Sequence, residues 1–171
     1  MKWFDRKFDF SFGREQFTPL IARLRDTPTE FSSVVGAAPT DVLEIKPGDK
    51  WSVKEHIAHL FLLEPLWRTR FDDIRNNRPV MTPADLDNRA TDEGDFNAVA
   101  IAELTARFLD ERSRTLALLS SLGDSDFNGV SLHPRLKKKM RIVDLMFFVA
   151  EHDDHHLDTV RNIISASSER R

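Results

Sequence analysis

Apolar residues recur every three or four positions in four stretches of the chain, and this spacing predicts four amphipathic helices. The first stretch runs from Arg14 to Arg25, and a further apolar set at residues 31–35 continues its pattern. Because Pro28 lies between the two sets, we expect a break in the helix there. The apolar positions of this stretch are Phe17, Leu20, Ile21, Leu24, Phe31, Val34 and Val35.

The second predicted helix has the clearest start. Ser52 is a suitable N-cap, and Glu55, three residues later, completes a capping box. The helical pattern extends from there to about Asn76, and Pro65 within it predicts a kink or an interruption. Residues 77–95 then form a polar connection that contains prolines. A loop of this length in a compact domain often lines a functional site.

The third helix is predicted over residues 97–122, with Gly123 as its C-cap, and the fourth over residues 141–165. The first half of the fourth helix, residues 142–150, is apolar on almost every side, which predicts a central, buried position. No pair of segments has a convincing strand pattern. The predicted fold is therefore all-α, a four-helix bundle with a long connection between helices 2 and 3.

The length and charge of the chain exclude several classes of function. A chain of 171 residues suits one domain, expected over residues 1–171 with an N-terminal arm at 1–12. The net charge of −3 gives no electrostatic footprint for nucleic acid, and the basic run at 135–141 is typical of a solvated loop and helix entrance. No signal-peptide core and no bilayer-spanning apolar run is found, so we expect a cytoplasmic protein without a membrane partner.

Histidine is concentrated near the C-terminus, where His152, His155 and His156 lie within five positions. Side chains four apart on a helix share one face, with Cβ atoms roughly 5–6 Å apart, and His152 and His156 have this spacing. Such a pair can bind one metal ion, and His59, in the apolar part of helix 2, is a better candidate third ligand than His56. Because the chain has no cysteine, its ligands must be nitrogen or oxygen. Three imidazoles with an open position are typical of a catalytic zinc site.

The spacing alone leaves other interpretations open. Helical histidines are often surface residues or hydrogen-bonded core residues, in which case the chain is a metal-free interaction module. His133 lies in a predicted loop without an assigned role, and His155 points about 100° away from His156, toward the surface or a supporting position. Glu55 and Asp153 are candidates for orienting a histidine or transferring a proton.

Two segments resemble the signature sequences of the DinB/YfiT-like superfamily, which includes DNA-damage-inducible proteins and metal-dependent hydrolases. They are Lys50–Leu60, with its Trp-Ser motif, and Ala150–Leu157, with its His-x-x-x-His motif. The resemblance implies an up-down-down-up four-helix bundle, frequently a homodimer, with a nickel or zinc site. The family's ligand pattern corresponds here to His59, His152 and His156. Residues 157–160 depart from the usual small-Gln-hydrophobic continuation, which puts the contribution of that glutamine in doubt.

The same resemblance implies a class of reaction. Similar proteins include thiol S-transferases that use bacillithiol or mycothiol, an isomerase of the maleylpyruvate type and members without known activity. We expect a metal-dependent hydrolase or thiol S-transferase that acts on a small molecule, with a low-molecular-weight thiol as one candidate substrate. The alternative is a non-catalytic, stress-associated binding protein with a structural or sensory metal. A pocket with several convergent polar groups beside the metal would favour the enzyme, and a site closed by a fourth protein ligand would favour the structural role.

The N-terminal arm is rich in aromatic residues that need to be covered. They can pack across the bundle of their own chain or at a dimer interface, and the resemblance favours a homodimer. The residues concerned are Trp3, Phe4, Phe8, Phe10 and Phe12. Residues 77–95 and 124–140 are expected to form the walls of the substrate pocket.

Overall fold

The structure is a computed structural model that describes residues 3–169. Four long helices form the body of the protein, while two short helices and a two-stranded antiparallel sheet lie in the connections. The elements are α1 (Phe17–Gly36), α2 (Thr40–Leu43), α3 (Val53–Arg75), α4 (Arg89–Asp92), α5 (Ile101–Ser120), β1 (Ser131–Leu132), β2 (Lys139–Met140) and α6 (Ile142–Ser168). The predicted four-helix bundle is confirmed.

Contacts along α1 fix its direction relative to α6. Near the start of α1, Arg23 forms an ion pair with Glu151. Near its end, Glu30 forms an ion pair with Arg161. Because the numbers rise together on both helices, α1 and α6 run parallel.

The two middle helices run parallel to each other and opposite to α6. Glu64 of α3 contacts Arg112 of α5, and one turn later Arg68 contacts Thr115. The α3 residues 56 and 67 contact the α6 residues 156 and 148, respectively, so the numbers run in opposite directions. α1 and α3 each pack against both α5 and α6. This arrangement is the up-down-down-up topology.

The expected break at Pro28 was wrong, because α1 continues through it. Proline has no backbone N–H, so the carbonyl of Leu24, four residues earlier, loses its helical partner. Arg112 Nη1 donates to that carbonyl over 2.9 Å, which satisfies it. α3 likewise continues through Pro65 without interruption.

Arg112 is the centre of a buried ionic network that links the four long helices. Its side chain is 1% exposed and contacts Glu64 of α3 at 2.6 Å and Asp153 of α6 at 2.7 Å. Thr115 donates a hydrogen bond to Glu64, and Leu24 supplies the contact to α1. Burying a charge away from water is costly unless its partner is present. Removing one charged member of this network therefore leaves the others buried without compensation.

Two smaller expectations also differ from the structure. α5 ends at Ser120 and Gly123 instead precedes a 3₁₀ turn, because its backbone N–H is bonded by the carboxylate of Asp126. The strand pair β1–β2 was not expected, since strands of two residues are too short to produce an alternating pattern. Met81 in the long connection donates a backbone hydrogen bond to Leu132 of β1, which joins the two long loops.

The aromatic arm packs against its own chain, on α6. Trp3 contacts Phe8 and Phe148, and Phe12 contacts Phe147, with ring centroids 4.6–5.3 Å apart. Residues 1 and 2 of the predicted arm lie outside the described residues. The basic run at 135–141 is not simply solvated, because Lys138 and Arg141 donate to arm carbonyls.

Between residues 3 and 169, no helix combines the length and the apolarity needed to cross a membrane.

Candidate metal centre

α3 and α6 bring three histidines together. His59, His152 and His156 each offer a ring nitrogen, and these atoms lie within 4.8 Å of one another. All three side chains are buried. We call these residues the histidine group; they are the three that the sequence selected as metal ligands.

The ring nitrogens of the histidine group face one another closely. Nε2 of His152 and Nε2 of His156 are 3.2 Å apart. Nδ1 of His59 lies 3.3 Å from the hydroxyl of Thr91, in α4, so the long connection orients this ring. Nδ1 of His152 is buried without a hydrogen-bond partner. The two Nε2 atoms that face each other are suitably placed to bind one ion, while Nδ1 of His152 is the other nitrogen of its ring.

Burial keeps the group in the protonation state that a metal requires. Desolvation lowers the pKa of His59 to about 3 and lowers the pKa of His152 and His156 well below the usual value of 6.5. The rings are therefore neutral at pH 7, and only neutral imidazole can donate a lone pair to a metal. Burial, donor type and separation together fit a divalent ion bound by nitrogen ligands.

His56 is a part of the site that the sequence did not identify. Its Nδ1 lies 2.8 Å from Nδ1 of His156, and burial lowers the pKa of His56 to about 4. Side chains three apart on a helix are neighbours, so His56 and His59 both face α6. The spacing of three residues between His56 and His59 was the signal in the sequence that could have identified His56.

The other two histidines lie farther from the group. His155 is half-buried and packs between Trp3 and His156, with ring centroids 5.6 and 5.5 Å away. His133 is buried and bonded to Arg70 instead of being a free loop residue.

The two candidate carboxylates have other partners. Glu55 completes the predicted capping box with Ser52, whose backbone N–H it accepts at 2.8 Å, and it pairs with Lys46. Asp153 belongs to the buried network of Arg112. Among residues 3–169, neither carboxylate is hydrogen-bonded to a histidine, and their roles in orienting a histidine or transferring a proton stay predictions.

The histidine group opens into a cavity of about 1090 Å³. Both loops expected to form its walls do so, through residues 83–88 and 133–135, and the loop at 45–51 also contributes. All three tryptophans of the chain, Trp3, Trp51 and Trp67, line the cavity. Trp51 is held by a 2.7 Å hydrogen bond from its indole N–H to Asp92 of α4. The group thus lies beside a largely apolar, aromatic space large enough for a small organic molecule.

Comparison with known proteins places the chain in a family. The sequence profile of the DinB superfamily matches residues 23–160, which include both histidine motifs. The chain belongs to the DinB superfamily. No curated protein sequence matches it.

A solved structure has the same fold as this DinB protein. It is YfiT from Bacillus subtilis, described as a probable metal-dependent hydrolase with an unusual four-helix bundle topology. The two share 23% sequence identity, with a TM-score of 0.75 over 96% of this chain and 93% of YfiT. This similarity establishes the fold of the DinB protein over nearly its whole length.

The buried histidines predict that the metal-free protein loses stability in acid. Burial lowers the pKa of His133 to about 3. In the unfolded chain a histidine takes up a proton near pH 6.5, so the unfolded state binds more protons between pH 6.5 and 3. The contribution of neutral His133 is therefore complete above pH 6.5 and is lost as the pH falls toward 3.

We expect urea unfolding of chelator-treated protein to show a free energy of unfolding that falls steadily below pH 6.5. His133→Gln should make this decline less steep, since each unit of pKa shift corresponds to about 1.4 kcal/mol. An unchanged slope in the variant would show that His133 is not held neutral by the fold.

Proposed function

We propose that this DinB protein binds one divalent metal ion, zinc or nickel, through His59, His152 and His156 and acts as a metal-dependent enzyme on a small molecule. The reaction is hydrolysis or thiol S-transfer. The observation that carries the proposal is the position of the histidine group beside a cavity of about 1090 Å³. A site with only a structural purpose has no need of such a space.

A metal held by three imidazoles with an open position supplies Lewis acidity, which favours deprotonation of a water or a thiol at neutral pH. The protein's own residues prepare the site. His56 orients His156 through the Nδ1–Nδ1 contact, and Thr91 orients His59. Trp51 and Trp67 pack against the histidines, with ring centroids 4.6 Å from His59 and 5.8 Å from His152, respectively, and exclude water from that side.

The cavity supports the enzyme over the binding protein with a structural metal. Within residues 3–169, the ligand group has three members, which leaves room for an exogenous fourth ligand. The description of YfiT as a probable metal-dependent hydrolase supports hydrolysis, and the volume of the cavity is also sufficient for a low-molecular-weight thiol. The homodimer and the cytoplasmic location stay predictions.

The proposal predicts an activity that follows the metal. Full-length protein loaded with zinc or nickel is assayed against a panel of p-nitrophenyl esters, and against monochlorobimane with cysteine or bacillithiol as the thiol. We expect turnover in one of these two assays. Chelation of the metal should abolish this turnover, and restoring the metal should recover it. His152→Ala should abolish the activity, while Arg114→Gln, on the exposed side of α5, should retain it. Activity that survives both chelation and His152→Ala would contradict the proposal.

A further inference from the structure

Two arginines line the cavity without a carboxylate partner. Arg70, on α3, and Arg135, in the loop before α6, are both lining residues. Neither forms an ion pair within 4.0 Å among the described residues, although most arginines of the chain do. An unpaired guanidinium in a desolvated position is costly, which indicates that a ligand supplies the missing negative charge.

Arg70 is held rigidly with part of its donor capacity unused. Its side chain is 2% exposed and its Nε donates to the carbonyl of Thr82 over 2.9 Å. Nη1 lies 3.2 Å from Nε2 of His133, and Nη2 has no hydrogen-bond partner among residues 3–169. A guanidinium has five N–H donors in a fixed fork, and this fork is oriented before any ligand arrives.

Hydrogen-bond donors outnumber acceptors around His133. The backbone N–H groups of Arg135 and Leu136 both point at its Nδ1, each over 3.2 Å, while Arg70 approaches its Nε2. A neutral imidazole accepts through only one of its two nitrogens. At one of the two nitrogens of His133, an imidazole N–H therefore faces another N–H donor. These two donors need a further hydrogen-bond acceptor.

Arg135 adds a second unsatisfied donor at the same place. Its Nη2 is buried without a hydrogen-bond partner, and its guanidinium carbon lies 5.0 Å from the ring centre of Phe4. We call Arg70, His133 and Arg135 the arginine end of the cavity.

Asp73 and Asp85, the carboxylates on the elements beside the arginine end, form their ion pairs with other arginines. Asp73, one turn after Arg70, accepts from Arg78 at 3.1 Å and from the backbone N–H of Thr82 at 2.6 Å. Asp85, which lines the cavity, is bonded to Arg89. Arg70 and Arg135 thus line the cavity with no carboxylate oxygen within 4.0 Å among residues 3–169.

We propose that the arginine end binds the oxyanion, carboxylate or phosphate, of a small molecule whose apolar body lies along Trp67 toward the histidine group. Trp67 joins the two regions: the Arg70 guanidinium carbon is 5.4 Å from its ring centre, and the His152 ring centre is 5.8 Å from it. The proposal deepens the proposed function by naming the substrate class, an amphipathic organic anion. Binding of the oxyanion itself requires no metal.

Tryptophan fluorescence gives a direct readout, because all three tryptophans line the cavity and the chain has no tyrosine. Full-length protein, metal-loaded and chelator-treated, is titrated with 4-phenylbutyrate, 3-phenylpropylphosphonate and the neutral 4-phenylbutyramide. We expect one or both anions to bind roughly tenfold or more tightly than the amide, equivalent to about 1.4 kcal/mol. The anion that binds better identifies the headgroup.

Variants locate the binding. Arg135→Gln should weaken binding of the anion roughly tenfold or more and leave binding of the amide unchanged, since the variant loses a charged hydrogen-bond donor. Arg70→Lys tests whether anion binding needs the planar guanidinium of Arg70, because a lysine keeps the positive charge but lacks the planar pair of N–H donors. Arg114→Gln is the matched control, and circular dichroism verifies that each variant is folded.

Two results would overturn the inference. One is equal binding of the anions and the amide by the unmodified protein. The other is anion binding that disappears on chelation, since the oxyanion would then be bound by the metal. Because the decisive titration uses metal-free protein, the inference can hold even if the proposed enzymatic activity fails.

Discussion

Arg112→Met is expected to lower the free energy of unfolding by roughly 3–5 kcal/mol, which is the range for removing one partner of a buried ion pair. The substitution leaves the carboxylates of Glu64 and Asp153 buried without their cation. It also leaves the Leu24 carbonyl, deprived of its helical partner by Pro28, without a donor. The loss is large because three buried acceptors depend on one guanidinium.

Urea unfolding followed by circular dichroism measures this effect. The triple variant Glu64→Gln, Arg112→Met, Asp153→Asn removes all three charges, so it leaves no buried charge without its partner. We expect it to be more stable than Arg112→Met alone. Arg114→Gln, two residues later and exposed, should change the free energy of unfolding by no more than about 0.5 kcal/mol. If Arg112→Met changed the free energy of unfolding by as little as Arg114→Gln does, the network would not hold the helices together.

The second large effect concerns metal affinity. His152→Ala and His59→Ala each remove one of three nitrogens and should reduce zinc affinity by more than the roughly 10–100-fold lost when an outer supporting partner is removed. His56→Ala should fall within that smaller range, because the ring of His56 contacts a nitrogen of His156 and is not itself a member of the histidine group. Competition titration with a zinc chelator of known affinity measures all three variants.

His133→Gln is the control for this series, since His133 lies in the cavity but outside the ligand group. Its zinc affinity should equal that of the unmodified protein. Loss of affinity in His56→Ala as large as that in His152→Ala would mean that His56 is itself a ligand. Unchanged affinity in His152→Ala would remove the basis of the metal site.

Local signals in the sequence predicted much of this structure. The capping box of Ser52 and Glu55 fixed the start of α3 because its two hydrogen bonds join residues three apart. The spacing of His152 and His156 placed both on the buried face of α6 for the same reason. Features of this kind can be predicted because the residues that form them are only three or four positions apart in the sequence.

The features that the sequence missed depend on contacts between distant segments. Continuation of α1 through Pro28 depends on Arg112, 84 positions away. The contact of His56 with His156 joins residues 100 positions apart. Arg135 belongs to a basic run that was interpreted as solvated, and its position in the cavity follows from the path of the loop before α6. Periodicity and spacing carry no information about such pairs.

The most direct test of the metal centre is anomalous X-ray diffraction from crystals of the full-length protein loaded with zinc or nickel. The account predicts one anomalous peak per chain, with nitrogens of His59, His152 and His156 each about 2.0–2.1 Å away in the zinc form. Data collected on both sides of the absorption edge identify the metal. A crystal with no peak at the histidine group, or with its metal bound elsewhere, would contradict the account.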